Sequence, residues 1–129
     1  MATIKEDYVS FETAKLLKEK GFNEKCDKYY PDHTYKSPIY INDGQNSNSF
    51  FGEACSAPTQ QMAMKYLRKV HTICIVSMPV VTDDDGEAGC LWYYIISRKL
   101  EVLHDSECLY GSSEIALNDA IKYCLENLI

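Results

Sequence analysis

The chain lacks any apolar run approaching the roughly 20 residues that a helix needs to cross a bilayer. It also lacks the apolar core of a signal peptide, because Lys5, Glu6 and Asp7 occupy the positions where that core would lie. These two absences predict a protein that neither spans a membrane nor is exported. We therefore expect a soluble protein that works in the cytoplasm.

The motifs that accompany enzymatic or cofactor sites are missing as well. The sequence contains no Cys-x-x-Cys pair, no phosphate-binding loop, no dinucleotide-binding glycine pattern and no nucleophile elbow. Nucleophilic catalysis requires a nucleophile with a base beside it, and no motif brings two such residues together. The sequence therefore predicts a non-catalytic protein without a cofactor.

Basic residues are scarce in the second half of the chain. Residues 71–129 hold three Lys/Arg and ten Asp/Glu, a net charge of −7, whereas residues 1–70 hold ten and nine, a net charge of +1. The affinity of proteins for nucleic acids depends largely on attraction to phosphates. An acidic half repels a phosphate backbone, so the overall charge argues against a nucleic-acid partner.

The composition is that of a folded domain. The chain has 129 residues, of which 46% are hydrophobic and 25% charged, and this predicts a single globular domain over residues 1–129.

Six cysteines are present. Without an export signal we expect them to be reduced and mostly buried as small apolar residues, as at Cys74 in a strand and Cys124 in a helix.

Three amphipathic helices are predicted. The first begins at the N-cap Ser10 and ends at Gly21, where the left-handed conformation is accessible and Phe22 folds back onto Leu17. The second opens at 56–59, with a proline in its first turn, and ends near His71. The third covers Gly111–Ile129 and carries one apolar stripe.

The strands predict a small, mainly antiparallel sheet. Thr72–Val81 and Cys90–Ser97 form a hairpin around the turn at 82–89, and Pro79 is expected to take the far end of the first strand out of the ladder. Leu100–His104 adds a third strand, and Cys26–Tyr30 and Tyr35–Ile41 are two weaker ones. The predicted fold is α+β, with three helices packed on one face of three to five strands.

Three blocks of the sequence carry a resemblance to a known family. Tyr8–Phe22, Ala57–Arg68 and Ala120–Leu128 together resemble a family of small uncharacterised proteins encoded by phages and prophages of gut bacteria. The resemblance implies a phage-associated protein in the cytoplasm of the bacterial host cell. The family offers no activity and no catalytic residue to carry over.

An aromatic segment at 29–51 is the main candidate for a functional surface. Within 23 residues it combines aromatic side chains with Asn, Ser, Asp and Gly, a composition typical of recognition surfaces. It predicts binding of a protein partner, and packing of these rings against the sheet edge and the second helix is the structural alternative. The same rings are also a candidate homodimer contact. The candidate residues are Tyr29, Tyr30, Tyr35, Tyr40, Phe50 and Phe51.

The second hypothesis is a nucleic-acid-binding accessory protein. Lys65, Arg68 and Lys69 form the basic side of the helix at 57–70. Single-stranded nucleic acids are bound where cations alternate with aromatic rings, and the tyrosines of 29–40 are candidates for that role. Binding that weakens steeply with salt is the expected signature of this function.

The third hypothesis is a small Cys/His-dependent enzyme or metal protein. His71 with Cys74 and His104 with Cys108 have short spacings, but neither supplies the four converging ligands of a structural zinc site. Asp32–His33 is the exposed acid/base pair of the aromatic segment. The acidic run 83–87 fails the EF-hand spacing at both ends, which indicates a hairpin turn.

Overall fold

The computed structural model describes residues 5–41, 48, 52–81, 90–106 and 108–129. Within these ranges the chain forms three helices and six strands, in the order α1, β1, β2, β3, α2, β4, β5, β6, α3. The α+β prediction is confirmed. The bounds are α1 (Phe11–Glu19), β1 (Lys28–Tyr30), β2 (Ile39–Tyr40), β3 (Cys55–Ser56), α2 (Gln60–His71), β4 (Ile73–Val81), β5 (Cys90–Arg98), β6 (Glu101–Asp105) and α3 (Ser113–Asn127).

The strands form two antiparallel sheets, where the sequence predicted one. The first sheet has the order β2-β1-β3 and the second the order β4-β5-β6. Prolines at 31 and 38 lie between β1 and β2, which are only three and two residues long. Such short strands do not extend the longer sheet, and β1 instead pairs with β3, where Tyr29 lies opposite Ser56.

Local signals set the ends of α1 as the sequence predicted. The Ser10 side chain accepts a hydrogen bond from the backbone N–H of Thr13. At the other end Gly21 adopts φ +91°, and the N–H of Phe22 donates to the carbonyl of Leu17 over 2.9 Å. The helix therefore ends in a Schellman motif, which requires the left-handed conformation that glycine adopts without strain.

Helix α2 begins one turn later than the sequence predicted. Its N-cap is Thr59, whose hydroxyl accepts from the N–H of Met62 over 3.1 Å. Pro58 therefore precedes the helix and is fully buried, rather than lying in the first turn. The predicted end at His71 is confirmed, and Thr72 follows it in the left-handed conformation with φ 57°.

Strands β4 and β5 form the predicted antiparallel hairpin; the turn at 82–89 lies outside the described residues. The expectation for Pro79 was wrong, because this residue lies within β4 opposite Trp92. An edge strand has one side free of ladder hydrogen bonds, so it accommodates a residue without an N–H. Between β5 and β6 the register shifts at Ile96/Ser97.

Helix α3 contacts α1, α2, β4 and β5, and one core cluster connects the three helices with both sheets. Asn118 of α3 accepts from the backbone N–H of Ser10 over 3.0 Å and donates to the Ser10 hydroxyl over 3.2 Å. These bonds fix α3 beside the segment that leads into α1. No helix of the described part of the chain is both long and apolar enough to cross a membrane.

The second sheet leaves one face open. Ile73, Tyr94 and Ile96 point towards the helices and are buried, whereas the alternate positions are exposed or half-buried. Cys74 lies on this open side and is exposed, so its prediction as a buried residue was wrong. We call the apolar part of the open side the outer face; it comprises Val76, Met78, Val80, Leu91, Tyr93, Ile95 and Val102.

Candidate partner-binding surface and cleft

The structure distributes the predicted aromatic residues over different environments. Tyr40 is 75% exposed and Tyr35 is 39% exposed, whereas Tyr29 is half-buried. Lys28 is paired with Tyr40, and successive residues of a strand point to opposite faces. Tyr29, which follows Lys28, therefore points to the face of the first sheet opposite to that of Tyr40. Phe50 and Phe51 lie outside the described residues.

Tyr30 belongs to the core and not to the predicted surface. Its side chain is 2% exposed, and its hydroxyl donates a hydrogen bond of 2.7 Å to the carbonyl of Val9. Its ring meets the ring of Phe11 edge-on, with centroids 5.6 Å apart. Burial raises the pKa of Tyr30 to about 12. The prediction of Tyr30 as a partner-binding residue was therefore wrong, because a ring inside the core cannot contact a partner.

A stack of two tyrosines and one lysine lies on the first sheet. Lys28 and Tyr40 are directly paired across β1 and β2, and the Lys28 ammonium lies 4.6 Å from the Tyr40 ring centroid. The same ammonium lies 4.5 Å from the ring of Tyr8, whose hydroxyl is 3.4 Å from an Asp27 carboxylate oxygen. Burial and this carboxylate raise the pKa of Tyr8. We call Tyr8, Lys28 and Tyr40 the tyrosine–lysine stack.

A cleft of about 610 Å³ opens beside the tyrosine–lysine stack. Its walls come from the segment before α1, from the first sheet and its β1–β2 connection, and from α3. Carboxylates dominate its charged groups, since Glu6, Asp7, Glu114 and Asp119 line it together with only two ammonium groups, those of Lys28 and Lys36. We call it the acidic cleft.

Tyr110 contributes a phenol to the acidic cleft. Its backbone exchanges hydrogen bonds of 2.9 and 2.8 Å with Trp92, and its hydroxyl donates to the carboxylate of Asp119. Burial and the neighbouring Asp119 raise the pKa of Tyr110, so the phenol stays protonated at neutral pH. Sequence reasoning missed this pair, because the tyrosine precedes α3 while the carboxylate lies on its second turn.

The predicted basic side of α2 is present but separate from the cleft. Lys65, Arg68 and Lys69 are all exposed. Lys65 and Lys69 line a smaller cavity of about 260 Å³ with Glu24 and Tyr66. The tyrosines of 29–40, which the nucleic-acid hypothesis expected beside these cations, do not line this cavity.

Asp32, His33 and Glu53 form the one potential metal-ligand group of three among the described residues. Their ligand atoms lie within 4.8 Å of one another, and His33 Nδ1 is 2.9 Å from a Glu53 carboxylate oxygen. Glu53 raises the pKa of His33, and the imidazole lowers the pKa of Glu53. An exposed ion pair accounts for this arrangement. No sequence pattern pointed to Glu53, which joins the predicted Asp32–His33 pair from 20 residues further along the chain.

Three buried thiols and the other two histidines have structural environments, whereas Cys74 and Cys108 are exposed. Cys26, Cys55 and Cys124 are buried, and burial raises their pKa values to about 11, 11 and 12. Such thiols remain protonated at neutral pH, which makes them poor nucleophiles and metal ligands. His71 packs edge-on against Tyr66. The ring of His104 stacks on the ring of Tyr123 in α3, with centroids 3.8 Å apart.

Comparisons with protein-family models, with curated proteins and with solved structures found no match to this chain.

Proposed function

We propose that this protein is a non-catalytic interaction module that binds a protein partner through its tyrosine-rich region. We also propose that the protein is encoded by a phage or prophage and works in the cytoplasm of the bacterial host. The observation that carries it is Tyr40, a large ring that is 75% exposed and yet held in place by the Lys28 ammonium. The tyrosine–lysine stack and the acidic cleft beside it form the proposed binding site.

A preformed stack lowers the cost of binding. Immobilising a flexible side chain at an interface costs roughly 0.5–1.5 kcal/mol. A tyrosine has only two torsions to restrict, and an exposed cation–π contact contributes about 0.5–1 kcal/mol towards holding its ring. Because Lys28 lies between two rings, it restrains Tyr8 and Tyr40 together before any partner arrives. The stack thus has the rigidity that favours tyrosine at recognition surfaces.

Replacing Tyr40 with serine is expected to abolish partner capture while leaving the fold intact. The ring is mostly exposed, so its loss should change the free energy of unfolding by less than about 1 kcal/mol. We expect at least a tenfold loss of specifically captured protein from lysogenic or infected host cells, measured by quantitative mass spectrometry against the unmodified chain.

The matched control is Val70→Ser, which removes a comparably exposed apolar side chain from α2, away from the cleft lining. This control should capture the same proteins in the same amounts as the unmodified chain. Equal capture by Tyr40→Ser and the unmodified protein would contradict the proposed site.

The basic side of α2 supports a second candidate function, the binding of nucleic acid. Lys65, Arg68 and Lys69 are exposed and form no ion pair with any described residue. If these cations bind phosphates, labelled single-stranded DNA should bind at about 50 mM salt and dissociate as salt rises. Replacing all three with glutamine should then abolish binding. Absence of binding by the unmodified protein at 50 mM salt would eliminate this candidate.

We also propose that two copies of the chain associate through the outer face. At the described outward positions of β4 and β5 the sequence has no charged side chain, although the chain carries a net charge of −6. A two-fold pairing would bring Val76, Met78, Tyr93 and Ile95 of one copy against the same group of residues in the other. The nearest carboxylate is that of Asp105 in the edge strand β6, which lies opposite Ile95. Sheets that pack face to face in this way interdigitate their side chains at about 10 Å separation.

The size of the outer face predicts a weak dimer. Strands β4 and β5, of nine residues each, are about 30 Å long, and β6, of five residues, is about 17 Å long. At about 4.8 Å spacing the three strands give a footprint of roughly 370 Å² per copy. Two copies would bury roughly 740 Å², which is below the approximately 1,000 Å² of a stable specific interface. We therefore expect dissociation constants in the micromolar range.

Replacing Met78 with aspartate should make the protein monomeric at all concentrations, because pairing would then bury two carboxylates against each other. Analytical ultracentrifugation over about 1–500 μM would measure this change, with Val70→Asp as the control that leaves self-association unchanged. A chain that is monomeric without any substitution throughout this range would refute the dimer.

A further inference from the structure

We propose that the acidic cleft binds a cationic side chain of the partner, so that the partner presents an arginine- or lysine-bearing segment to it. This inference deepens the proposed function and rests on it, because it gives the chemistry of the protein that the same site would bind. It follows from the charges of the cleft, from one buried amide and from the hydrogen bonds already made there.

The charged groups of the acidic cleft are unbalanced. Four carboxylates line it, and no described residue forms a salt bridge with any of them. Of the two ammonium groups, that of Lys28 lies between two tyrosine rings. The N-terminus of α3 contributes a partial positive charge beside Glu114, which offsets a fraction of one carboxylate. The net field of the cleft therefore attracts cations.

A buried amide gives an independent indication of the ligand. Gln60 lines the cleft and is only 6% exposed. Its Nε2 donates a hydrogen bond of 2.8 Å to the carbonyl of Glu114, and its Oε1 accepts no hydrogen bond from any described residue. A buried acceptor without a partner is costly, so this oxygen favours a ligand that carries N–H donors. Because Gln60 is uncharged, this indication is independent of the carboxylates that line the cleft.

The phenols of the cleft have already used their donors. The Tyr110 hydroxyl donates to Asp119, and the Tyr30 hydroxyl donates to Val9. The cleft therefore presents mostly hydrogen-bond acceptors to a ligand. Guanidinium and ammonium groups match them, because these groups only donate hydrogen bonds. The rings of Tyr8 and Tyr40 already hold an ammonium at 4.5 and 4.6 Å. Aromatic faces of this kind also stack with guanidinium groups.

The test uses a defined probe, an acetylated and amidated octapeptide of alternating arginine and glycine. Titrated into the ¹⁵N-labelled protein at about 100 mM salt, it should shift the backbone amide signals of Gln60, Glu114 and Asn118 saturably. The same peptide with glutamate in place of arginine should shift none of them. Absence of saturable shifts at these three amides with the arginine peptide would overturn the inference.

A double variant separates the cleft from the overall charge of the protein. Asp7→Asn with Glu114→Gln removes two carboxylates from the cleft, and we expect the affinity for the arginine peptide to fall at least tenfold. Glu19→Gln with Glu126→Gln changes the net charge equally, but both of these residues lie outside the cleft lining. This control should bind within twofold of the unmodified protein, and equal losses in both double variants would refute a specific site.

The outcome is distinguishable from that of the proposed function. The peptide titration needs no partner, whereas the Tyr40→Ser capture experiment needs no peptide. Loss of capture by Tyr40→Ser without any peptide binding at the cleft would support a protein partner but overturn its basic chemistry. Peptide binding that is lost in the cleft variant supports the inference, even where capture does not depend on Tyr40.

Discussion

Replacing Tyr30 with serine is expected to lower the free energy of unfolding by about 3–5 kcal/mol, the usual cost of removing a buried aromatic ring. The same replacement at Tyr40 should cost less than about 1 kcal/mol. The two residues belong to neighbouring strands of the first sheet, but one ring is 2% exposed and the other 75%. Since whole domains are stable by only about 5–15 kcal/mol, the first variant should lose a large fraction of its stability.

A second substitution at the same position separates the ring from its hydroxyl. Tyr30→Phe keeps the contact with Phe11 but leaves the buried carbonyl of Val9 without its 2.7 Å hydrogen bond, which should cost about 1–3 kcal/mol. Urea unfolding followed by circular dichroism measures all three variants. A loss below about 1 kcal/mol for Tyr30→Ser would show that the ring is at the surface, as the sequence-based site assumed.

The helices were predictable because their signals are local. Ser10 and Ser112 cap α1 and α3 through bonds to residues three positions ahead. Gly21 ends α1 for a reason that depends only on its own backbone. Such signals involve a few consecutive residues and do not require knowledge of the rest of the fold.

The division into two sheets could not be predicted in the same way. Strand β3 consists of two residues, Cys55 and Ser56, and becomes a strand only because β1 lies beside it. Pro79 illustrates the same limit: its effect on a ladder depends on which side of β4 is free, and the strand order determines that. No periodic pattern in the sequence indicates which distant segments pair with each other.

For the candidate site, the sequence indicated the region but not the arrangement of its residues. The composition of the aromatic segment pointed to a recognition surface, and Tyr40 has the exposure such a surface needs. Alternation along β1 sends Tyr29 and Tyr30 to opposite faces, and only the packing shows which face is buried. The other cleft residues, including Gln60 and Asp119, come from α2 and α3 and meet the tyrosines only in the folded chain.

Replacing Phe22 with alanine is the other substitution from which we expect a large effect, a loss of about 3–5 kcal/mol in the free energy of unfolding. The ring is 1% exposed and meets Tyr66 of α2 edge-on, with centroids 5.1 Å apart. The hydrogen bond from its backbone N–H to Leu17 is independent of the side chain, so the loss should report packing alone.

Two further variants separate packing from the helix end. Phe22→Leu should recover more than half of the loss, because leucine refills most of the apolar volume. Gly21→Ala should cost about 1–2 kcal/mol, because its Cβ meets no atom within 4 Å but φ +91° is unfavourable for alanine. Thermal and urea unfolding of the three variants would measure these costs. If Gly21→Ala proved more harmful than Phe22→Ala, the left-handed helix end, and not the ring behind it, would be what holds α1 against the core.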